Sequence, residues 1–317
     1  MWFMVFDKLK YWLCSAFLGI MTMPVLCAQD SLNTVVATNG DGIFSLLGKE
    51  GMDVVKYYEA FINLNKDRLK DGSRLVVGTE YLLPEAPDSF KNMGSFIALP
   101  SGDETPIFGT ELETLKKKDS SLRNTVYYLV SNHMVQPAPN EKKGNGNSEV
   151  ELTKLIARKL IQSGARVYLF RESLDKSLEL NELVTIVNKK YLIHNGSYQR
   201  LLIINSQADS DQAEMEVNIY HEEGSKDGKR LSESIINTLG KNNISIKSMG
   251  AYASVFTDRQ NIMFAKNMLP SLIYIEFGSK LVDKSSLKVT SNKKNLADFI
   301  TNGIFTDYSK LDFQDND

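Results

Sequence analysis

The chain has 317 residues, enough for about two domains, and its 42% hydrophobic and 24% charged residues are typical of an ordinary globular protein. The formal net charge is −2, which excludes nucleic acid or any other partner held by bulk electrostatic attraction. We therefore expect no nucleic-acid partner.

The N-terminal segment, residues 1–28, has the layout of a secretory signal peptide. Two lysines precede an apolar run from Tyr11 to Val25, and the small residue Ala28 follows it. This order predicts cleavage near Ala28 and export to the periplasm or cell envelope; an uncleaved anchor and a lipid-modified Cys27 are the alternatives. Cys14 and Cys27 both lie in this segment, so cleavage would remove every thiol and exclude disulfides and thiolate chemistry.

Residues 29–86 are predicted to form a small module of two helices between two strands. A strand-like "NTVVATNGDG" is followed by the helical stretches "IFSLLGKEGM" and "DVVKYYEAFINLNK", and then by the strand-like "RLVVGTEYLLP". Asp53 is a suitable N-cap for the second helix, and Gly72 suits a positive φ in the turn "KDGS". The pattern indicates a βααβ unit.

This module resembles the LysM domain. Gly40-Asp41 before the first helix, Leu64-Asn65 after the second and the closing segment Gly72–Pro84 match the family's motifs. The resemblance implies binding of glycans that contain N-acetylglucosamine, chiefly peptidoglycan, in a shallow groove. The residues that it would place at the groove are Asp41, Gly42, Ile43, Asn63, Leu64 and Asn65. Two alternatives stay open: Asp41 and Asn65 are only turn and capping residues, or the whole module merely packs on its neighbour.

Residues 87–122 are predicted to be a connector, because proline, glycine and charged residues recur there around one short strand at "SFIAL".

From residue 123 to 317, apolar strands alternate with amphipathic helices. The predicted strands are "TVYYLVS", "ARVYLFR", "RLLIINSQ", "MEVNIYH" and "PSLIYIEF", and the predicted helices are "SEVELTKLIARKLIQSG", "KRLSESIINTLG" and "KKNLADFITNGIF". This alternation predicts an α/β fold with a mostly parallel sheet flanked by helices on both faces.

Three polar residues lie at the carboxyl ends of separate predicted strands: His133, Asn205 and Glu276. In parallel sheets the ligand crevice lies beyond those ends. Glu276 directly follows the apolar run Leu272–Ile275, where a carboxylate is poorly solvated unless a neighbour favours its charge. The three residues therefore indicate a site.

From about Asn124 to Ile304 the chain resembles the zinc-dependent N-acetylmuramoyl-L-alanine amidases. His133 in "YYLVSNHMVQPAPN" matches the family's first metal-binding histidine, and Glu149 is the nearest match to its metal-binding glutamate. The stretch "PSLIYIEFG" matches the strand whose glutamate, here Glu276, is the catalytic base. The resemblance implies a zinc-bound water that attacks the amide bond between N-acetylmuramic acid and L-alanine.

The chain departs from the family pattern at several positions. Asn205 in "LLIINSQAD" replaces the third metal-binding histidine, and a neutral amide oxygen is a much poorer zinc ligand. Met134 and Val135 stand where the family keeps small residues. The Glu149 match is also weak, because spacing counted from the end of the helix points instead to a nearby asparagine.

The other two histidines, His194 and His221, are alternative ligands, whereas a metal-free His133 bonded to Glu276 is the structural alternative. Three hypotheses follow: an active zinc amidase, a non-catalytic protein that binds peptidoglycan or regulates a cell-wall hydrolase without a cofactor, and an envelope protein whose modules contact other proteins. We expect the second.

Overall fold

The structure is a computed structural model that describes residues 33–109, 111–131, 146–172, 180–206, 214–254, 256, 258–280 and 292–312. The helices of this part are α1 (Ile43–Lys49), α2 (Val54–Leu64), α3 (Phe90–Met93), α4 (Gly146–Gln162), α5 (Leu180–Ile193), α6 (Lys226–Lys241), α7 (Arg259–Asn267) and α8 (Lys293–Asp312). The strands are β1 (Thr34–Val36), β2 (Glu80–Leu82), β3 (Gly94–Leu99), β4 (Glu104–Pro106), β5 (Thr125–Ser131), β6 (Arg166–Glu172), β7 (Tyr198–Ser206), β8 (Glu214–His221), β9 (Ser245–Ala251) and β10 (Ser271–Lys280).

The N-terminal module has the predicted βααβ arrangement, with β1 and β2 paired antiparallel around α1 and α2. Asp53 caps α2 as predicted, because its carboxylate accepts from the backbone N–H groups of Val55 and Lys56. Gly72 has the predicted positive φ, 75°. The closing strand is shorter than predicted: Arg74 forms an isolated bridge with Lys70, and residues 77–78 form a turn before β2 begins.

The remaining strands form one eight-stranded sheet in the order β4-β3-β6-β5-β7-β10-β8-β9. The sheet is mostly parallel, as predicted, with antiparallel pairing only where β4 meets β3 and β8 meets β10. The strand expected at "SFIAL" is confirmed as β3, which runs parallel to β6. The connector therefore contributes two strands to the sheet.

Helices cover both faces of this sheet, as the alternating pattern predicted. Helices α4, α6 and α8 pack on one face through residues such as Ile156, Ile235 and Ile300. Helices α5 and α7 pack on the other face, with Val187 and Phe264 among the buried residues. Among the described residues, no helix is both long and apolar enough to span a lipid bilayer.

The N-terminal module contacts the segment that follows it. The Phe90 N–H donates to the Gly51 carbonyl over 2.8 Å, and Lys91 pairs with Glu50 at 2.5 Å. A cleft of about 760 Å³ lies between the α1–α2 turn and residues 112–123. Its far wall includes Arg123 and Gly164, which immediately precede β5 and β6. The module thus lies at the amino ends of these strands.

Candidate functional site

Glu276 lies toward the carboxyl end of β10, in the middle of the sheet. The preceding residues Leu272–Ile275 are fully buried on both faces, which fixes the strand in register between β7 and β8. In that register Glu276 is opposite Asn205 on β7 and opposite Asn218 on β8. The structure therefore brings together two of the residues predicted for the site, Glu276 and Asn205.

The polar residues form a row across four strands: Asn205, Glu276, Asn218 and Ser248. Residues directly opposite each other in a sheet share a face, so their side chains can meet. The Asn218 amide donates from Nδ2 to Glu276 Oε2 over 3.0 Å, and the Ser248 hydroxyl donates to Asn218 Oδ1 over 2.8 Å. We call Asn205, Glu276, Asn218 and Ser248 the polar row.

A β-bulge brings Ser248 into the polar row. Val217 pairs with Ile246, but the next residue, Asn218, pairs with Ser248, so Lys247 is an extra residue in β9. Without the bulge, Asn218 would be opposite a lysine. Lys247 instead lies 3.7 Å from the carboxylate of Glu216.

Aromatic side chains lie under the polar row on the same face. Tyr274 and Tyr220 are opposite each other, two residues before Glu276 on β10 and two residues after Asn218 on the antiparallel strand β8. The Tyr220 hydroxyl is 3.3 Å from the Ser248 hydroxyl, and Tyr274 packs edge-on against Phe256 with ring centroids 5.2 Å apart. The row thus has a rigid, largely apolar base, which limits the orientations that its side chains can adopt.

Asn205 is a buried structural residue. Its side chain is 1% exposed, and its amide nitrogen donates to the Tyr274 hydroxyl over 3.0 Å. A zinc ligand at this position would need a strong, exposed donor such as an imidazole nitrogen, whereas Asn205 offers a neutral amide engaged with the core. Asn205 therefore does not fit the role of third zinc ligand that the amidase resemblance would give it.

The other predicted metal ligands lie outside what the structure describes. His133 falls in the segment 132–145, and of Glu149 only the backbone, in the first turns of α4, is described. No group of three or more histidine, cysteine or acidic side chains suited to a metal occurs among the described residues. Both assignments stay predictions.

The two remaining histidines lie away from Glu276. His221 alternates with Asn218 and Tyr220 along β8, so it faces the opposite side of the sheet, and it is opposite Ile273 rather than Glu276. His194 ends α5, and its Nε2 is 2.7 Å from the Tyr168 hydroxyl. Burial lowers the pKa of His194, as do the nearby charges of Arg166 and Lys190. Neither histidine is placed to complete a site with Glu276.

In the N-terminal module, Asp41 and Asn65 have structural roles. The Asp41 carboxylate pairs with Lys49 at 2.5 Å and accepts from the Thr38 hydroxyl. The buried Asn65 side chain donates to the carbonyls of Phe61 and Leu82 and accepts from the Leu82 N–H, which ties α2 to β2. These contacts match the alternative in which both are turn and capping residues.

The other residues predicted for the glycan groove divide by exposure. Ile43 is buried in the core of the module, whereas Gly42, Asn63 and Leu64 are exposed. Of these four residues, only Gly42, Asn63 and Leu64 present surface to a ligand. The groove itself stays a prediction.

Asn218 and Ser248 were not identified from the sequence. A signal for Asn218 was present, because it interrupts the apolar stretch "EVNIY" on a strand and so had to face either solvent or a polar partner. Ser248 had no such signal, since its strand "SIKSMGA" lacks a regular alternation.

No protein-family model matches the chain, and no curated protein matches it. Among solved structures, it is similar to the N-acetylmuramoyl-L-alanine amidase from Clostridium difficile 630, at 13% identity and a TM-score of 0.39 over 60% of this chain and 98% of the other. It is also similar to the amidase AmiC2 of Nostoc punctiforme, at 14% identity and a TM-score of 0.36 over 59% and 96% of the two chains. A third similar structure is the CwlD amidase from Clostridioides difficile in complex with the GerS lipoprotein. The identity is 15% and the TM-score is 0.38, over 58% of this chain and 98% of the other. Similarity at this level carries no argument about the chemistry of this chain.

Proposed function

We propose that the protein is an exported cell-wall protein that binds peptidoglycan and has impaired or lost zinc-dependent amide hydrolysis. The observation that carries this proposal is Asn205, which occupies the third metal-ligand position of the amidase motif as a buried amide bonded to Tyr274. A site held by His133 and a weakly matched Glu149 alone would lack the three protein ligands that a catalytic zinc requires.

The N-terminal module supports the binding part of the proposal. Its βααβ arrangement and its LysM-like motifs agree, and Gly42, Asn63 and Leu64 leave an exposed surface at the loops where the resemblance puts a glycan. The Glu276 carboxylate supports a ligand crevice at the other module. The protein would then act as a cell-wall binder or as a regulator of a true hydrolase or another envelope protein.

The test combines zinc analysis of the purified mature protein with sedimentation on purified peptidoglycan. We expect no zinc above contaminant level, co-sedimentation with peptidoglycan, and no release of stem peptides. One tightly bound zinc that is lost in His133→Ala would contradict the loss of the metal site. Absence of co-sedimentation would contradict the binding role and favour a protein-contact function.

A matched pair of variants tests the glycan surface. Leu64→Ala removes an exposed apolar side chain from the predicted groove, and Val55→Ala removes one, 90% exposed, from the start of α2 in the same module. We expect Leu64→Ala to weaken sedimentation about fivefold or more and Val55→Ala to leave it unchanged. Equal effects of the two variants would argue against a groove at the loops.

Retention of Glu276 keeps a second function, active amide hydrolysis, under test. The residue lies on β10 level with the carboxyl end of the parallel strand β7, where a general base would face a crevice. Release of stem peptides at an enzymatic rate, abolished by Glu276→Gln, would establish that function. Asn205→His is the matched gain-of-function variant, and we expect it to raise zinc affinity while Met134 and Val135 still obstruct turnover.

A further inference from the structure

The hydrogen bonds of the polar row run in one direction. Ser248 donates to the oxygen of the Asn218 amide, so the nitrogen of that amide faces Glu276 and donates to Oε2. The reverse orientation would place the amide oxygen against a carboxylate, an acceptor against an acceptor. Asn218 is therefore locked between one donor and one acceptor, and its position relative to Glu276 is set by the sheet register.

We propose that Asn218, oriented by Ser248, is a positioning residue that holds the Glu276 carboxylate as a hydrogen-bond acceptor for an N–H group of the ligand. This inference rests on the proposed peptidoglycan-binding function and assigns a part of the ligand to the site. An ionised carboxylate can only accept hydrogen bonds, so the group that meets it carries a donor, such as the amide or ammonium groups of a stem peptide.

The exposure of the row indicates where this ligand group lies. Asn205 is buried, whereas Glu276, Asn218 and Ser248 are half-buried. The part of the row that a ligand can reach therefore extends from β10 over β8 to β9, away from β7. The charged and titratable groups facing this part from the neighbouring strands are Glu216, Lys247, Tyr220 and Tyr274.

Exchanging the amide of Asn218 and the carboxylate of Glu276 tests whether Asn218 positions Glu276 for a ligand or only supports the fold. Asn218→Asp alone places two carboxylates side by side, so we expect a lower Tm and at least tenfold weaker binding of a soluble disaccharide-peptide muropeptide. The double variant Asn218→Asp with Glu276→Gln restores one amide next to one carboxylate. We expect it to recover the Tm but not the affinity, because the acceptor has moved from β10 to β8.

Further variants keep the proposal testable if Asn218→Asp does not fold. Ser248→Ala should weaken muropeptide binding about threefold or more, and Ser248→Thr, which keeps the hydroxyl, should restore it. Asn302→Asp, on an exposed position of α8, is the control for the added charge.

Two results would overturn the proposal: unchanged affinity in Asn218→Asp and Ser248→Ala, or full recovery of affinity in the double variant. If the unmodified protein sediments with peptidoglycan but binds no muropeptide, the proposed function stands and the ligand assignment fails; if it does neither, the proposed function fails as well. In both cases the Tm of Asn218→Asp and of the double variant still decides whether Asn218 holds Glu276. An unchanged Tm in Asn218→Asp would then overturn the positioning role as well.

Discussion

Two side chains of the polar row, Glu276 and Asn205, differ in how they match the motif of the amidase resemblance. In the match that the amidase resemblance implies, Glu276 has the family's residue type, whereas Asn205 has an amide where the family has an imidazole. The Asn205 amide bonds to a phenol in the core, which compensates the cost of burying it. Asn205 is thus part of the fold, and β7 keeps its regular pairing with β10 at this residue.

Asp41 provides a residue-scale prediction about pH. Hydrogen bonds from Lys49 and Thr38 lower the pKa of its carboxyl from 3.8 to about 2. Because the folded-state pKa lies below the unfolded-state value, the stabilisation is complete above that value and is lost as the pH falls toward 2. We expect Asp41→Asn to lower the Tm near neutral pH, with the difference from the unmodified protein vanishing between about pH 4 and pH 2.

Thermal unfolding followed by circular dichroism at several pH values measures this difference. Asp67→Asn, at an exposed position in the same module, is the control for the loss of a surface carboxylate. A Tm difference for Asp41→Asn that stays constant down to pH 2 would contradict the assignment.

At the scale of elements, helices α8 and α6 approach each other closely at Gly303 of α8. A Cβ atom there would lie 2.6 Å from the Ile235 Cα in α6, a contact that only a shift of the two helices could relieve. We expect Gly303→Ala to destabilise the protein by about 2 kcal/mol or more. Gly240→Ala, in α6 with open space around its Cβ, should be neutral or slightly stabilising.

Chemical unfolding of both variants provides the comparison. Equal midpoints for Gly303→Ala and the unmodified protein would show that the helices can separate without cost.

Elements were predictable where hydrophobic periodicity was strong. Strand β5 and helix α6 were recognisable from their apolar patterns, and the βααβ order of the N-terminal module followed from its turn and cap residues. Strand β9 and helices α5 and α7 were missed. The segment "SIKSMGA" lacks a regular alternation, "LNELVTIVNKKYLI" has only a weak amphipathic pattern, and α7 is only nine residues long. Pairing with β8 and packing on the sheet fix these elements. Tertiary contacts, which a single sequence does not reveal, decide such segments.

The site was predictable to a similar extent. Strand ends located Glu276 and Asn205, but the hydrogen bond from Asn218 depends on an antiparallel pairing between β10 and β8 that interrupts the parallel order. The bulge that introduces Ser248 depends on the pairing of β8 with β9. Both are properties of register, which becomes visible only when the strands are side by side.

At the scale of the whole molecule, a buried charge network joins the C-terminal helix to the sheet. Asp307 on α8 is fully buried, lies 2.7 Å from Arg230 on α6 and accepts from the Tyr198 hydroxyl at the start of β7. Arg200 on β7 pairs with Asp227 on α6 at 3.1 Å. The network thus connects three elements that are distant in sequence.

We predict that Asp307→Asn lowers the free energy of unfolding by about 3 kcal/mol, because it replaces the fully buried carboxylate that Arg230 and Tyr198 share and leaves Arg230 only its half-exposed partner Asp227. Asp298, also on α8, is a partly exposed carboxylate that pairs with Lys159 on α4. Asp298→Asn should therefore cost less than about 1 kcal/mol of unfolding free energy. Equal costs measured by urea unfolding would show that the network contributes no more than a surface pair.

The N-terminal module lies at the amino ends of the strands, so the length of a strand separates it from Glu276. A seven-residue strand such as β5 spans about 23 Å. The module lies at one end of that distance and Glu276 at the other, so a single sugar or a short peptide cannot touch both. A long glycan with its peptides can, and each end then raises the local concentration of ligand at the other. Under the proposed function, apparent affinity should therefore rise with the length of the polymer, so that intact wall binds more tightly than a single muropeptide.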